Sequence, residues 1–158
     1  MITTLVLGCI MITGVIHAGP MEDSMAAYDG GDYATAMRLL RPLAEQGDAQ
    51  AQNGLGAMYY NGKGVAQDFK AAVKWYRLAA AQGYASAQLN LGAMYYEGQG
   101  VPEDFIRAYM WLSIAAAKGN PNAVRLRDTV SKYIIDPQVV EALTMAHKCE
   151  TSQYKQCD

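Results

Sequence analysis

Few residues in this 158-residue chain have types and spacings that could do chemistry. Ser152-x-x-Lys155 places a lysine amine three residues from a serine hydroxyl, the arrangement in which an amine activates a hydroxyl for acyl transfer. Gly62-Lys63-Gly64 has the glycines and lysine of a turn that could cradle a phosphate. His147 is the one imidazole beyond residue 18. Cys149 and Cys157 form a Cys-x7-Cys pair that can close a disulfide in an oxidising compartment. The first three have plainer readings. Ser152 and Lys155 lie in a short tail without the partner motifs such a nucleophile needs, and five serines and seven lysines make a chance match unsurprising. Gly62-Lys63-Gly64 lacks the upstream Gly and following Ser/Thr of a phosphate loop, so it reads as a turn. No acid or cysteine cluster surrounds His147 at metal-ligand spacing. The chain is therefore read as a non-enzyme with no cofactor and no metal.

What would position any function is a tandem repeat. The block 47–82 aligns without gaps on 83–118, and 20 of 36 positions are identical, including Leu55-Gly56-Ala57-Met58-Tyr59-Tyr60 against Leu91-Gly92-Ala93-Met94-Tyr95-Tyr96. A fixed period in the thirties marks stacked units, none of which can bury its apolar face alone. Each unit reads as two helices. Helix A runs from about Asp48 to Tyr60 and again from Ala85 to Tyr96, and paired glycines (Gly62 and Gly64, Gly98 and Gly100) end it through a positive-φ turn. Helix B opens at N-cap Asp68 or Asp104 and carries the stripe Ala72-Trp75-Ala79 or Ala108-Trp111-Ala115. Gly83 and Gly119 then terminate it.

The same grammar continues outward. Asp32-Tyr33…Ala36…Leu39…Leu43…Gln46-Gly47 sits one period before Asp68–Gly83, with Met21–Asp29 as a shortened helix A. Pro121–Tyr133 fills the helix A slot of a last unit, and Asp136-Pro137 predicts an N-cap opening a final helix to about Lys148. The expected organisation is a leader at 1–18, a degenerate repeat at 19–47, full repeats at 48–83 and 84–119, a capping helix pair at 120–148 and a disulfide-pinned tail at 149–158. Degenerate end units protect a solenoid's terminal apolar faces.

At Ala49-x-Ala51-Gln52-x-x-Leu55-Gly56-x-x-Tyr59, Gly62-x-Gly64-Val65, Asp68-Phe69, Ala72, Trp75-Tyr76 and Ala79-Ala80-x-Gln82-Gly83, the chain resembles the Sel-one-like repeat family. The second copy keeps the pattern except for Leu112 at the Tyr76 position. The resemblance is strong from about Ala34 to Asn122. It implies an all-α fold, an α/α superhelical solenoid of antiparallel, tetratricopeptide-like helix pairs. It also implies an adaptor role, since members commonly bind other proteins and the fold itself dictates no chemistry.

Leu55, Tyr59, Ala72, Trp75, Ala79 and their equivalents read as packing positions, and Gly56 and Gly92 as places where helices touch. By analogy with the tetratricopeptide-like pattern, helix A lines a concave groove. Its groove-facing positions are then Gln50, Asn53, Ala57, Tyr60 and Asn61, followed by Ser86, Leu89, Ala93, Tyr96 and Glu97, and finally Asn122, Arg125, Thr129, Lys132 and Tyr133. Amides, two tyrosines, one leucine and a basic end suit a peptide or loop of a protein partner. The competing reading packs Tyr60 and Tyr96 against the neighbouring repeat.

Net charge is −2 and no Lys/Arg run occurs, which argues against nucleic acid as a partner. Residues Ile2–Ile16 are apolar or small, too few for a ~20-residue membrane span but matching a secretory h-region, with cleavage expected between Ala18 and Gly19. The stretch lacks a basic start; lipidation at Cys9 and a buried N-terminal helix are its alternatives. A secreted or periplasmic protein with no membrane span after cleavage is expected. In such a chain Cys149 and Cys157 should bridge. Residues eight apart in a helix lie ~12 Å apart, so the last helix must end near Cys149 and the chain double back through Thr151-Ser152-Gln153. The resulting expectation is an exported interaction module. Its alternatives are a peptidoglycan-associated binder, a penicillin-recognising or β-lactamase-like enzyme built on Ser152 and Lys155, and a stoichiometric regulator of a secreted enzyme; a cell-wall polymer is thus a second possible partner.

Overall fold

A computed structural model describes residues 19–157; the apolar N-terminal stretch and the expected cleavage signal lie outside them. All regular structure among the described residues is helical. In chain order it comprises α1 (Pro20–Asp29), α2 (Tyr33–Glu45), α3 (Ala49–Asn61), α4 (Phe69–Ala80), α5 (Ala85–Glu97), α6 (Phe105–Ala117), α7 (Pro121–Val130), a 3-10 turn (Ser131–Tyr133) and α8 (Asp136–Thr151). Each helix from α1 to α6 packs on the next in sequence, and α6 holds α8 as well as α7. The A helices (α1, α3, α5, α7) thereby alternate with the B helices (α2, α4, α6, α8), as stacked antiparallel pairs require.

Local chemistry sets the helix ends. Asp32, Asp48, Asp68 and Asp104 each accept a hydrogen bond from the backbone N–H three residues on, at 2.8–3.0 Å, satisfying one orphan donor of the first turn. Gly62 and Gly98 cap α3 and α5 in the left-handed region at φ 66°. Gly64 and Gly100 do more than turn. A Cβ on Gly64 would overlap the Tyr33 carbonyl, and one on Gly100 the Phe69 carbonyl. The A–B loop of each unit thus docks on the first residue of the preceding unit's helix B. That contact interlocks neighbours at the 36-residue period and accounts for the repeated second glycine.

Two buried glutamines make a second interlock. Gln52 Nε2 donates to the Ala44 carbonyl at 3.1 Å and Gln88 Nε2 to the Ala80 carbonyl at 3.2 Å, so each helix A adds a second donor to a last-turn carbonyl that already accepts from the Gly47 or Gly83 N–H. Gln52 Oε1 in turn accepts from Gln82 at 2.8 Å. The equivalent of Gln82 is Lys118, which turns instead to the Gly83 carbonyl. Gln88 Oε1 accordingly has no partner among the described residues.

The apolar side chains form two clusters. One is N-terminal, around Met37, Leu40, Leu55 and Met58; the larger runs from Val73 and Tyr76 through Leu91, Met94, Trp111 and Leu112 to Cys149. Gly56 faces the Tyr76 ring and Gly92 faces Leu112, the close helix A–helix B approaches the sequence suggests.

The C-terminus differs in detail from expectation. Ile135, not Asp136, is the N-cap of α8; its backbone N–H donates to Gln138 Oε1 at 3.0 Å while Asp136 occupies the first turn. The helix also runs on to Thr151, with Cys149 wholly buried in its final turn. The chain then reverses through Gln153 and Tyr154, both at positive φ, and closes a Cys149–Cys157 disulfide with Cα atoms 4.5 Å apart. The doubling back is as expected. It begins two residues later because the Tyr154 N–H can then bond the Cys149 carbonyl at 2.8 Å.

Candidate functional site

Side-chain contacts join the A helices into one wall. Gln50 Nε2 donates to Met25 Sδ at 3.6 Å, linking α3 to α1. Asn90 Nδ2 donates to Asn53 Oδ1 at 3.0 Å, and the Tyr60 hydroxyl donates to Glu97 Oε2 at 3.3 Å, linking α3 to α5. Tyr96 meets Tyr133 edge-on at 5.8 Å, linking α5 to the 3-10 turn. Four of the amide and aromatic positions singled out from the sequence (Gln50, Asn53, Tyr60, Tyr96) and Glu97 therefore share one surface spanning successive units.

The tyrosines are half-buried rather than free anchors. Tyr60 packs edge-on against Phe69 at 5.4 Å, and Tyr96 lies 6.0 Å from Phe105, whose ring stacks on Tyr133 at 5.0 Å. Burial, reinforced by the Glu97 carboxylate, raises the Tyr60 phenol above its ordinary range. The hydrogen bond with Tyr133 raises Tyr96, with burial adding to it. Both phenols therefore stay neutral hydrogen-bonding groups well above neutral pH.

Asn61 sits on the rim, where its amide donates to the Ala57 carbonyl at 2.8 Å. Ser86 is exposed near the start of α5, and Leu89 is half-buried against the larger core cluster. Arg125 bonds Asn122 on α7, and Lys132 is exposed in the 3-10 turn. The basic end is thus an exposed flank. Between α3 and α5 a cleft of about 280 Å³ is lined by Ala57, Tyr60, Asn61, Tyr76, Asn90, Ala93 and Met94. A second, of about 320 Å³, lies beside it where Met21, Met25 and Tyr28 of α1 face Gln50, Asn53 and Ala57.

Asn90 and the α1 methionines are the wall residues that the sequence reading missed. Asn90 had a signal: it replaces Gly54 within an otherwise nearly invariant stretch of the repeat, so it is a variable position on helix A. The α1 residues carried none, because the N-terminal unit departs from the repeat pattern.

A family model described as the Sel1 repeat matches residues 26–48, 49–84 and 85–120. The chain belongs to the Sel1 repeat family. Solved structures agree. A protective antigen of uropathogenic Escherichia coli strains, displaying an SLR fold, superposes with a TM-score of 0.80 at 27% identity over 85% of this chain. This chain spans only 31% of that antigen's length. A Sel1 repeat protein from Oxalobacter formigenes superposes with a TM-score of 0.63 at 38% identity, covering 70% of this chain and 86% of that one. No curated protein sequence matches. Sel1 repeat proteins generally mediate protein–protein interaction, and the fold is typically a non-catalytic scaffold.

Proposed function

We propose that this Sel1 repeat protein is an extracytoplasmic protein–protein interaction module that holds an extended segment of a protein partner along its helix A wall. The observation that carries the reading is the cleft between α3 and α5, where Tyr60, Asn61 and Asn90 meet beside the Asn53 amide. Its polar atoms are amides and a phenol, which recognise backbone and side-chain groups by hydrogen bonding without a net charge of their own. Tyr60 and Tyr96 add rigid contact area at small entropic cost, because their rings are already held by Phe69 and Phe105. Gln50 and Asn53 extend the surface toward α1, while Glu97, Arg125 and Lys132 place charge at the other end, where a partner's register could be set. Ser86 and Leu89 border it.

The Cys149–Cys157 bridge and the apolar N-terminal stretch support this compartment, since both fit an exported chain. No described helix is long and apolar enough to cross a membrane. That a related SLR protein is a protective antigen is consistent with a location outside the cytoplasm.

The test is affinity capture from an envelope extract with residues 19–158, beside a Tyr60→Ala/Tyr96→Ala variant whose helix content is checked by circular dichroism. A protein band retained by the parent and lost by the folded variant supports the wall as the binding surface. Equal retention by both sinks it. Co-sedimentation of both with cell-wall polymer, and no retained protein, would give the function to an envelope glycan instead.

A further inference from the structure

A further cleft lies away from the helix A wall. It has a volume of about 660 Å³ and is bounded by α4 on one side and by the disulfide-closed tail on the other. Lys70, Lys74 and Arg77 project from α4 at i, i+4 and i+7, and Lys155 stands on the tail opposite. No carboxylate is among the lining residues. Val73, Leu78 and Trp111 supply an apolar floor. Trp111 is 2% exposed, and its indole N–H has no acceptor among the described residues. A buried donor left unpaired is costly. Here the indole floors a cationic cleft with its apolar ring, and its N–H is closed off from the cleft.

The tail wall is held deliberately. Tyr154 lies between the Gly83 turn, 3.0 Å from where a Cβ would stand, and the Lys118 ammonium, 4.6 Å from its ring centre. Gln153 and Tyr154 occupy the left-handed region, at φ 53° and 63°, which non-glycine residues hold only when their surroundings impose it. The Cys149–Cys157 bridge imposes it from the other end.

We propose that this cleft is a second docking site, which takes an acidic peptide segment carrying apolar side chains between its carboxylates. The spacing decides the occupant. Lys70 and Lys74 stand one turn apart, ~6 Å along the axis, with Lys155 across the cleft, a spread that one carboxylate cannot bridge. An extended peptide with acids on alternate residues places carboxylates ~7 Å apart on one face and presents the intervening apolar side chains on the other. Lys70, Lys74 and Lys155 then meet the acids, while Arg77 stays with the Tyr95 hydroxyl at 2.7 Å. The apolar side chains reach the Val73–Leu78–Trp111 floor. Because the tail forms one wall, the site exists only while the disulfide is closed.

The probe is a fluorescein-labelled heptapeptide alternating glutamate with leucine, titrated with oxidised 19–158 by fluorescence anisotropy at low salt. In parallel, the two indole N–H resonances, from Trp75 and Trp111, are followed by NMR. Saturable binding that shifts the Trp111 resonance is expected. Lys70→Glu/Lys74→Glu should weaken it by about tenfold or more, since two favourable pairs become repulsive. Cys149→Ser/Cys157→Ser should weaken it as well. Tyr60→Ala/Tyr96→Ala should leave it unchanged, which separates this site from the helix A wall. Absence of binding, equal binding by the charge-reversed variant, or an unmoved Trp111 resonance would overturn the proposal. Tighter binding of a single-stranded oligonucleotide of equal charge would overturn the peptide as occupant.

Discussion

Two glycines on α3, two residues apart, should respond oppositely to the same substitution. Gly54 and Gly56 both lie inside the helix, so replacing either by alanine gains the same intrinsic term, up to about 1 kcal/mol. Their surroundings differ. A Cβ at Gly54 would come 3.2 Å from the Leu40 Cδ1, the free end of a flexible side chain that can yield by a few tenths of an ångström. A Cβ at Gly56 would lie 2.6 Å from both Cδ1 and Cε1 of Tyr76. That ring is 3% exposed and packed in the larger core, so relief requires a shift of about 1 Å in the ring or the helix. Overpacking of this kind costs about 1–3 kcal/mol. The expected outcome is that Gly54→Ala is neutral or mildly stabilising and Gly56→Ala is destabilising, with about 2 kcal/mol between them. Thermal melts of both variants against the parent should separate their midpoints by about 4–8 °C, at roughly 2–4 °C per kcal/mol for a chain of this size. Because helix propensity cancels in the comparison, equal midpoints would refute the claim that Gly56 is required by close approach of the Tyr76 ring.

Three further outcomes are expected. Gln88→Ala removes one of the two hydrogen bonds that the Ala80 carbonyl accepts, leaving that from the Gly83 N–H at 2.9 Å, and should cost about 0.5–1.5 kcal/mol in urea unfolding; an unchanged midpoint would show that the inter-repeat glutamine bond contributes nothing. Burial raises the Tyr76 phenol well above its usual value of about 10, so the folded chain keeps a proton that the unfolded chain has released. Its contribution is whole below about pH 10 and declines as pH rises beyond that, so the parent should lose stability between about pH 9.5 and 11, and Tyr76→Phe should lose less; identical slopes would count against it. Reduction of the Cys149–Cys157 bridge should cost about 2.5 kcal/mol from loop entropy alone. Counting free thiols in unreduced, denatured 19–158 should find none, and two would refute the bridge.

The sequence by itself determined the helices and, from α1 through α6, their ends and the order of stacking; the ends and packing of α8 it did not. Aspartates at N-caps, glycines at C-caps and a 36-residue self-similarity act within a few residues or between identical copies, so their physics is local and readable along the chain. Gly56 and Gly92 were legible as contact points for the same reason, since a glycine inside a helix has little other use. Three features were decided only in three dimensions. That Gln52 and Gln88 serve the preceding helix depends on how deep each helix A sits against its neighbour. That Asn90 joins Asn53, and Tyr60 reaches Glu97, depends on the stagger between successive A helices, a rigid-body quantity that no residue type encodes. The cationic cleft depends on where the tail lands. Lys70, Lys74 and Lys155 are 80 residues apart or more across the cleft, and no period relates them. Only the disulfide, Tyr154 and Lys118 bring the last of them opposite α4, because closure of the chain on itself, unlike a helix cap, is settled by all the packing that comes before it.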